Sequence, residues 1–127
     1  MKHLKTGKKF SRKKDQRQAM LRILTGELLM RKKIKTTEVK AKEVKRLIDK
    51  IAGKIKLAAK GEKISNLAAL RSLKAELPRN INSQKFIELG SLFGRRQSGF
   101  ARVTKLGPRK SDGARMAVLE LVEDSKK

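Results

Sequence analysis

The sequence predicts an α+β domain preceded by a basic arm. Three observations point to it. Apolar residues recur at three- and four-residue spacing in segments between Asp15 and Phe93. Two β-rich segments flank a Gly-Pro turn near the C-terminal end. The first fourteen residues carry seven Lys or Arg and no acid.

The arm, residues 1–14, holds Lys2, Lys5, Lys8, Lys9, Arg12, Lys13 and Lys14 around little that can be buried. It is expected to order only on binding. From about Asp15 to Lys33, Met20, Ile23, Leu24 and Leu28 form a helical stripe, widened by Leu21 and Met30, with Leu29 on the opposite side. A helix apolar nearly all round sits between layers, so this one is expected to be central. Gly26 lowers its propensity by ~1 kcal/mol relative to Ala, which fits the close approach of a neighbour.

Ile34-Lys35-Thr36-Thr37 then favours a short extended piece, a candidate third strand, with Thr37 placed to cap the next helix. That helix, Glu38 to about Ala59, lines up Val44, Leu47, Ile48, Ile51 and Ile55 on one face, continued by Ala52, Ala58 and Ala59. Lys42, Lys45, Arg46, Asp49, Lys56 and Lys60 occupy the other. Glu38 is spaced to pair with Lys42, Glu43 with Arg46 and Asp49 with Lys45. Gly61 is a stop signal. Ser65 is expected to cap a third helix through Leu67, Leu70, Leu73 and Leu77, ended by Pro78. A fourth runs from Ser83 with Phe86, Leu89 and Phe93 in register, closed by Gly94. Phe100 to Leu106 and Met116 to Val122 flank Gly107-Pro108-Arg109-Lys110-Ser111-Asp112-Gly113, the pattern of an antiparallel hairpin with a basic loop. Residues 15–122 therefore form one domain, and 123–127 a frayed tail.

Charge dominates the functional reading. Thirty-five Lys and Arg against 12 Asp and Glu give a formal charge of +23. That surplus runs through the core-forming segments as well as the arm. A compact body with so much like charge repels itself and is stabilised by a polyanion, and nucleic acid fits best. Hydrophobic residues make up 38%, below the usual ~45–50%, so the core is small and gains from a partner. With no Cys and one His, disulfides, thiolate metal sites and His-based triads are excluded, and no cofactor is expected. A P-loop, a GxGxxG after a strand and an HExxH are all missing, and the carboxylates are scattered, so no enzyme is expected. No apolar run approaches the ~18 residues of a membrane span. The N-terminus lacks the apolar stretch of a signal peptide, which suggests an intracellular protein.

Basic clusters lie in the arm, on the polar face of the Glu38–Ala59 helix, at Arg95-Arg96 and at Arg109-Lys110, with Arg102 and Arg115 alongside. Phosphate contact asks only for mobile cations and backbone amides, so these clusters indicate a polyanion and say little about its sequence. Phe10 and Phe100, among basic residues, are candidates for stacking on bases, while Phe86 and Phe93 belong to the core. Two other readings compete: an architectural DNA-binding protein, which would use an apolar wedge, and a basic helix lying on anionic lipid. The second fails because the apolar face of Glu38–Ala59 is needed inside.

The opening MKHLKTGKKFSRKKDQRQAMLR resembles that of the bacterial large-subunit ribosomal protein seventeen family, with its Met-Arg/Lys-His arm, a Gly at Gly7 and a helix start like Arg17–Met20. IKTTEVKAKEVKRLIDKI is similar to that family's Ile-Lys-Thr-Thr strand and the helix after it. GFARVTKLGPRKSDGARMAVLELV is similar to its closing hairpin with the Gly-Pro-Arg-Lys loop. Gln16, Ser98 and Ala101 depart from the family's usual His, Gly and Thr. The resemblance implies several helices packed on a small mixed sheet. It also implies a non-catalytic constituent of the large ribosomal subunit in the cytoplasm, bound to large-subunit ribosomal RNA near the peptide exit region. There it would be a monomer beside neighbouring large-subunit proteins, with a part in subunit assembly. Carried over by position, the RNA-facing residues are Lys2, His3, Lys5, Lys8, Lys9, Arg12 and Arg17, then Lys35, Lys40, Lys42 and Arg46, then Arg95, Arg96, Arg102, Lys105, Arg109 and Lys110.

Deleting residues 1–14 is expected to leave the body folded by circular dichroism. The same deletion should weaken binding to ribosomal RNA and flatten its salt dependence by ~0.9 in log–log slope for each duplex phosphate no longer neutralised. A titration with unchanged affinity and slope would exclude the arm from binding.

Overall fold

A computed structural model describes residues 8–59, 63–94 and 96–123, with backbone alone at 63–66. The elements run α1 (Lys14–Arg31), β1 (Lys33–Thr37), α2 (Glu38–Ala59), α3 (Lys63–Glu76), α4 (Ser83–Phe93), β2 (Ala101–Pro108) and β3 (Arg115–Leu121). The three strands form one sheet in the order β1-β3-β2. The hairpin and the third strand are where the sequence places them. Both pairings are antiparallel, so the sheet is antiparallel throughout rather than mixed. The reason is that β1 joins the edge of the hairpin through β3, whose direction opposes it. The Leu121 N–H also donates to the Lys32 carbonyl at 2.9 Å, tying the end of β3 to the turn between α1 and β1.

The axis of the fold is α2, not α1, and α2 touches every other element. Its apolar stripe is wide because small and branched residues alternate along it: Ala41, Val44, Ile48, Ile51, Ala52, Ile55 and Ala58 are all buried. The predicted face is thus correct. On α1 the predicted stripe is rotated. Leu29 and Leu28 are fully buried with Thr25 and Gly26, whereas Ile23 is 60% exposed and Met30 faces outward. The helix is covered along one side only, so the residue assigned to its far side enters the core. In α3, Ala69 and Leu73 are buried, as is Leu77 just past its end, but Leu67 is 56% exposed. This helix begins at Lys63, so Ser65 lies inside its first turn instead of before it. The Gly61 stop lies outside the described residues, as does the tail beyond Glu123.

Close approach of helices depends on two glycines. A Cβ at Gly26 would lie 2.6 Å from Pro78 Cγ, and one at Gly90 would lie 2.3 Å from the Ala59 methyl. The α1–Pro78 and α2–α4 contacts therefore need the missing side chains. α4 starts at Ser83, as predicted, and its N-cap is Asn82, whose side chain accepts the Lys85 N–H at 2.9 Å. Gly94 closes the helix as predicted, at φ +54°.

One sheet face packs on the helices through Ala101, Val103, Ala117, Leu119, Leu121, Ile34 and Thr36. Alternation puts Lys33, Lys35, Thr37, Met116, Val118, Glu120, Arg102 and Thr104 on the other face. A register shift between Lys105 and Gly107 carries β2 through Gly107 to Pro108, beyond the predicted end at Leu106.

Gly53, in mid-α2, has nothing within 4 Å of where its Cβ would be. Gly53→Ala should therefore stabilise the protein by up to ~1 kcal/mol through helix propensity. Gly90→Ala should instead destabilise it by roughly 1–2 kcal/mol, because the methyl forces α2 and α4 apart. Urea unfolding of the two variants at one salt concentration checks both signs.

Candidate nucleic-acid interface

The sheet face turned away from the helices is the best-organised cationic surface. The register sets it out in rows across the three strands. Lys33, Glu120 and Arg102 form the first row. The Arg102 Nε donates to Glu120 Oε1 at 2.8 Å, and its Nη2 engages the same oxygen. That hydrogen bond holds the Glu120 carboxyl below its ordinary range, and the charges of Arg102 and Lys33 add to the effect. Lys35, Val118 and Thr104 form the second row, where Lys35 is exposed with no carboxylate beside it in register. Thr37, Met116 and Gly107 form the third.

At the end of β2 the buried Glu38, on the first turn of α2, meets Lys42 Nζ at 3.0 Å and Lys105 Nζ at 3.5 Å. Hydrogen bonding by Lys42, with Lys105 behind it, lowers the Glu38 pKa against the opposing effect of desolvation. One acid thus gathers cations from two segments that are far apart in sequence. The expected Glu43–Arg46 pair forms at 3.4 Å. Among the described residues Asp49 takes a partner other than Lys45, accepting the Phe100 N–H at 3.3 Å.

The hairpin loop is closed by its own ion pair. Arg109 donates to Asp112 through Nε at 2.9 Å, and its Nη2 engages the second carboxylate oxygen. The Ala114 N–H donates to Asp112 Oδ1 at 3.1 Å, and the Arg109 N–H to the Ala114 carbonyl at 2.7 Å. Gly113, at φ +70°, lets the chain turn back. The loop therefore presents Lys110 from a fixed frame, while Arg109 is half engaged in holding that frame.

Phe100 is not available to bases. It is 2% exposed, meets Phe93 edge-on with centroids 5.1 Å apart and lies under Lys56 Nζ at 5.7 Å. Lys56 also donates to the Arg96 carbonyl at 2.6 Å, clamping this segment onto α2. Phe86 and Phe93 are core residues, as predicted. Near the N-terminal end Lys8, Lys9 and Arg12 are exposed and Arg17 is partly covered. Phe10 and Ser11 turn the chain at φ +53° and +51°, and Arg12 Nη1 caps the Phe10 carbonyl at 3.0 Å. Lys2, His3, Lys5 and Arg95 lie outside the described residues.

The candidate residues do not form one patch. Lys35, Lys42, Lys105, Arg102, Arg109 and Lys110 belong to the sheet, its hairpin and the adjoining start of α2, with Lys40 partly covered and Arg46 exposed on the same helix. The 18 residues of α1 place the arm roughly 27 Å of helix away from β1. Sequence reasoning missed Lys33, although Lys33-Ile34-Lys35 alternates and so puts both lysines on one strand face. Arg22 lies between these regions but serves the fold, donating to the Leu77 carbonyl at 2.6 Å just past the end of α3. Among the described residues no helix is long and apolar enough to cross a membrane, and no group of three His, Asp or Glu side chains is placed to hold a metal ion.

Residues 20–122 match the family described as Ribosomal protein L17. A relative named large ribosomal subunit protein bL17 from Natranaerobius thermophilus is 48% identical over 116 residues, spanning 91% of this chain and 97% of its own length. Proteins of the same name from Desulforapulum autotrophicum and Sorangium cellulosum are 37% and 33% identical, over 98% and 97% of this chain and 98% and 84% of theirs.

The Asp112 carboxyl should titrate at about 2, held there first by its hydrogen bond to Arg109 and then by the Ala114 N–H. Because the folded value lies below the unfolded 3.8, the contact contributes fully above pH ~4 and disappears as pH falls through about 2. Carboxyl-detected NMR checks the midpoint, which Arg109→Ala should raise toward 3.8.

Proposed function

The chain belongs to the ribosomal protein L17 family, and on that premise we propose that it is a non-catalytic structural constituent of the large subunit of the cytoplasmic ribosome, held in place by large-subunit ribosomal RNA. The observation that carries the RNA-binding part is the uncovered sheet face. Lys33 and Lys35 project from one edge strand and Arg102 from the other, on a surface whose one acid, Glu120, is engaged in orienting Arg102. A phosphate backbone crossing that face meets cations at strand spacing, with Thr104 and Thr37 hydroxyls between them. Lys110 extends the surface along the hairpin, while Lys105, opposite the buried Ala117, lies on the helix side beside Glu38. The arm supplies a second cationic end, so the protein bridges RNA segments a helix length apart and screens their mutual repulsion, which is its proposed contribution to assembly. Family membership argues against the DNA-architectural alternative.

Replacing Lys33 and Lys35 together with Ala should leave unfolding unchanged within ~0.5 kcal/mol, since both are exposed. Affinity for large-subunit RNA should fall, and the log–log salt slope should become shallower by roughly 1.5–2, as two phosphates go without a cation. Filter binding at several salt concentrations measures this, and an unaltered slope would remove the sheet face from the interface.

A further inference from the structure

We propose that the uncovered sheet face takes an unpaired nucleotide of RNA, its base stacked on the Arg102 guanidinium and its sugar against the apolar spine of β3; this rests on the RNA binding proposed above. The face is not uniformly polar. β3 runs down its centre and presents Met116 and Val118 between two cationic edges, Lys33 and Lys35 on β1 and Arg102 on β2. Leu106 adds to that apolar centre. The shift between Lys105 and Gly107 sets two residues of β2 opposite Met116, and Leu106, one of the two, is 50% exposed. Neighbouring strands lie ~4.8 Å apart, so the two edges stand roughly 10 Å from each other. That width suits one strand laid along β3, with phosphates at the lysine edge and a base at the other.

Arg102 supplies the stacking surface. Its Nε and Nη2 both engage Glu120 Oε1, which pins the guanidinium along one edge, yet the side chain stays 67% exposed. A planar cation pinned by its edge offers its flat side, on which a base stacks. Val118 sits diagonally across from Arg102, and Thr104 lies directly beside Val118. Diagonal neighbours are ~7–8 Å apart, so a base over the guanidinium brings its ribose within reach of the Val118 methyls and the Thr104 hydroxyl. Phe100, the stacking ring favoured by sequence, is buried, and the guanidinium takes its part. Phosphate contact alone leaves this arrangement unexplained, because Met116, Val118 and Leu106 gain nothing from a charged backbone. Three cations around one engaged acid select an anionic partner. An unpaired nucleotide brings that charge and a flat apolar face together, whereas a duplex keeps its bases stacked on one another.

The test titrates the full-length protein with two RNA hairpins of equal phosphate number, one fully paired and one whose stem carries a short unpaired bulge. The bulged hairpin is expected to bind about tenfold more tightly at the same salt concentration. Arg102→Lys keeps the charge and removes the plane, so it should cut that preference to less than twofold and leave the log–log salt slope unchanged. Met116→Gln with Val118→Thr should lower the preference at least threefold, with affinity for the paired hairpin held within twofold. Urea unfolding of each variant confirms the fold. Equal affinity for the two hairpins, a preference that survives Arg102→Lys, or an equal loss on both hairpins would overturn the inference. In each of those cases RNA binding at the sheet stands if replacing Lys33 and Lys35 still flattens the slope. If that slope is also unaltered, the sheet reading falls and the inference with it.

Discussion

Like-charge repulsion is the constraint on which the rest of this structure depends. A domain of this size folds with a margin of only ~5–15 kcal/mol, and a net charge of +23 acts against compaction at every pH near neutrality. Three of the few acids are placed where they act on more than one cation or on the backbone. Glu38 holds Lys42 and Lys105 together, Asp112 closes a loop through Arg109 and the Ala114 N–H, and Asp49 receives the Phe100 N–H. Removing any of these acids removes attraction and adds repulsion at the same point.

The apolar side of the fold follows from the same limit. A small core must be assembled from residues that cost little side-chain entropy, and α2 supplies them as alternating Ile, Val and Ala with helices and sheet packed around it. Gly26 and Gly90 bring backbones within reach where a side chain would hold them apart. Close packing recovers dispersion energy that a larger core would obtain from area. Lys56 belongs to this scheme too: its ammonium lies over the Phe100 ring and donates to the Arg96 carbonyl, so one cation is retained to hold this segment on α2.

Much of this was legible in the residues themselves. The four helices, the hairpin and the third strand follow from period and turn chemistry, and the Val44–Ala59 stripe marks the core face of α2 directly. The rotation of α1 was not legible. Its sequence is apolar on nearly all sides, so periodicity does not choose between Ile23 and Leu29, and the choice falls to where α2 and Pro78 stand. Phe100 misleads because its basic neighbours in sequence suggest an exposed ring, whereas in space it is buried against Phe93 with the Lys56 ammonium over it. For the candidate interface the residue types were legible and their grouping was not. Which cations share a surface depends on strand register, and which are tethered depends on acids distant in sequence, such as Glu120 beside Arg102.

On the proposed reading of the sheet face, tethering does not take Arg102 out of contact with a phosphate. Both Arg102 nitrogens that meet Glu120 bond a single oxygen, Oε1, leaving the rest of the guanidinium donors directed outward. A phosphate then meets a side chain already held in place, and less rotamer entropy remains to be given up on contact. Lys35 and Lys110, by contrast, have no carboxylate holding them among the described residues and adapt to whatever backbone passes. In the proposed role, pairing fixed arginines with untethered lysines would let one surface orient an RNA segment and still tolerate its irregular path. In this +23 chain the arrangement is set by Glu120 behind Arg102 and Asp112 behind Arg109.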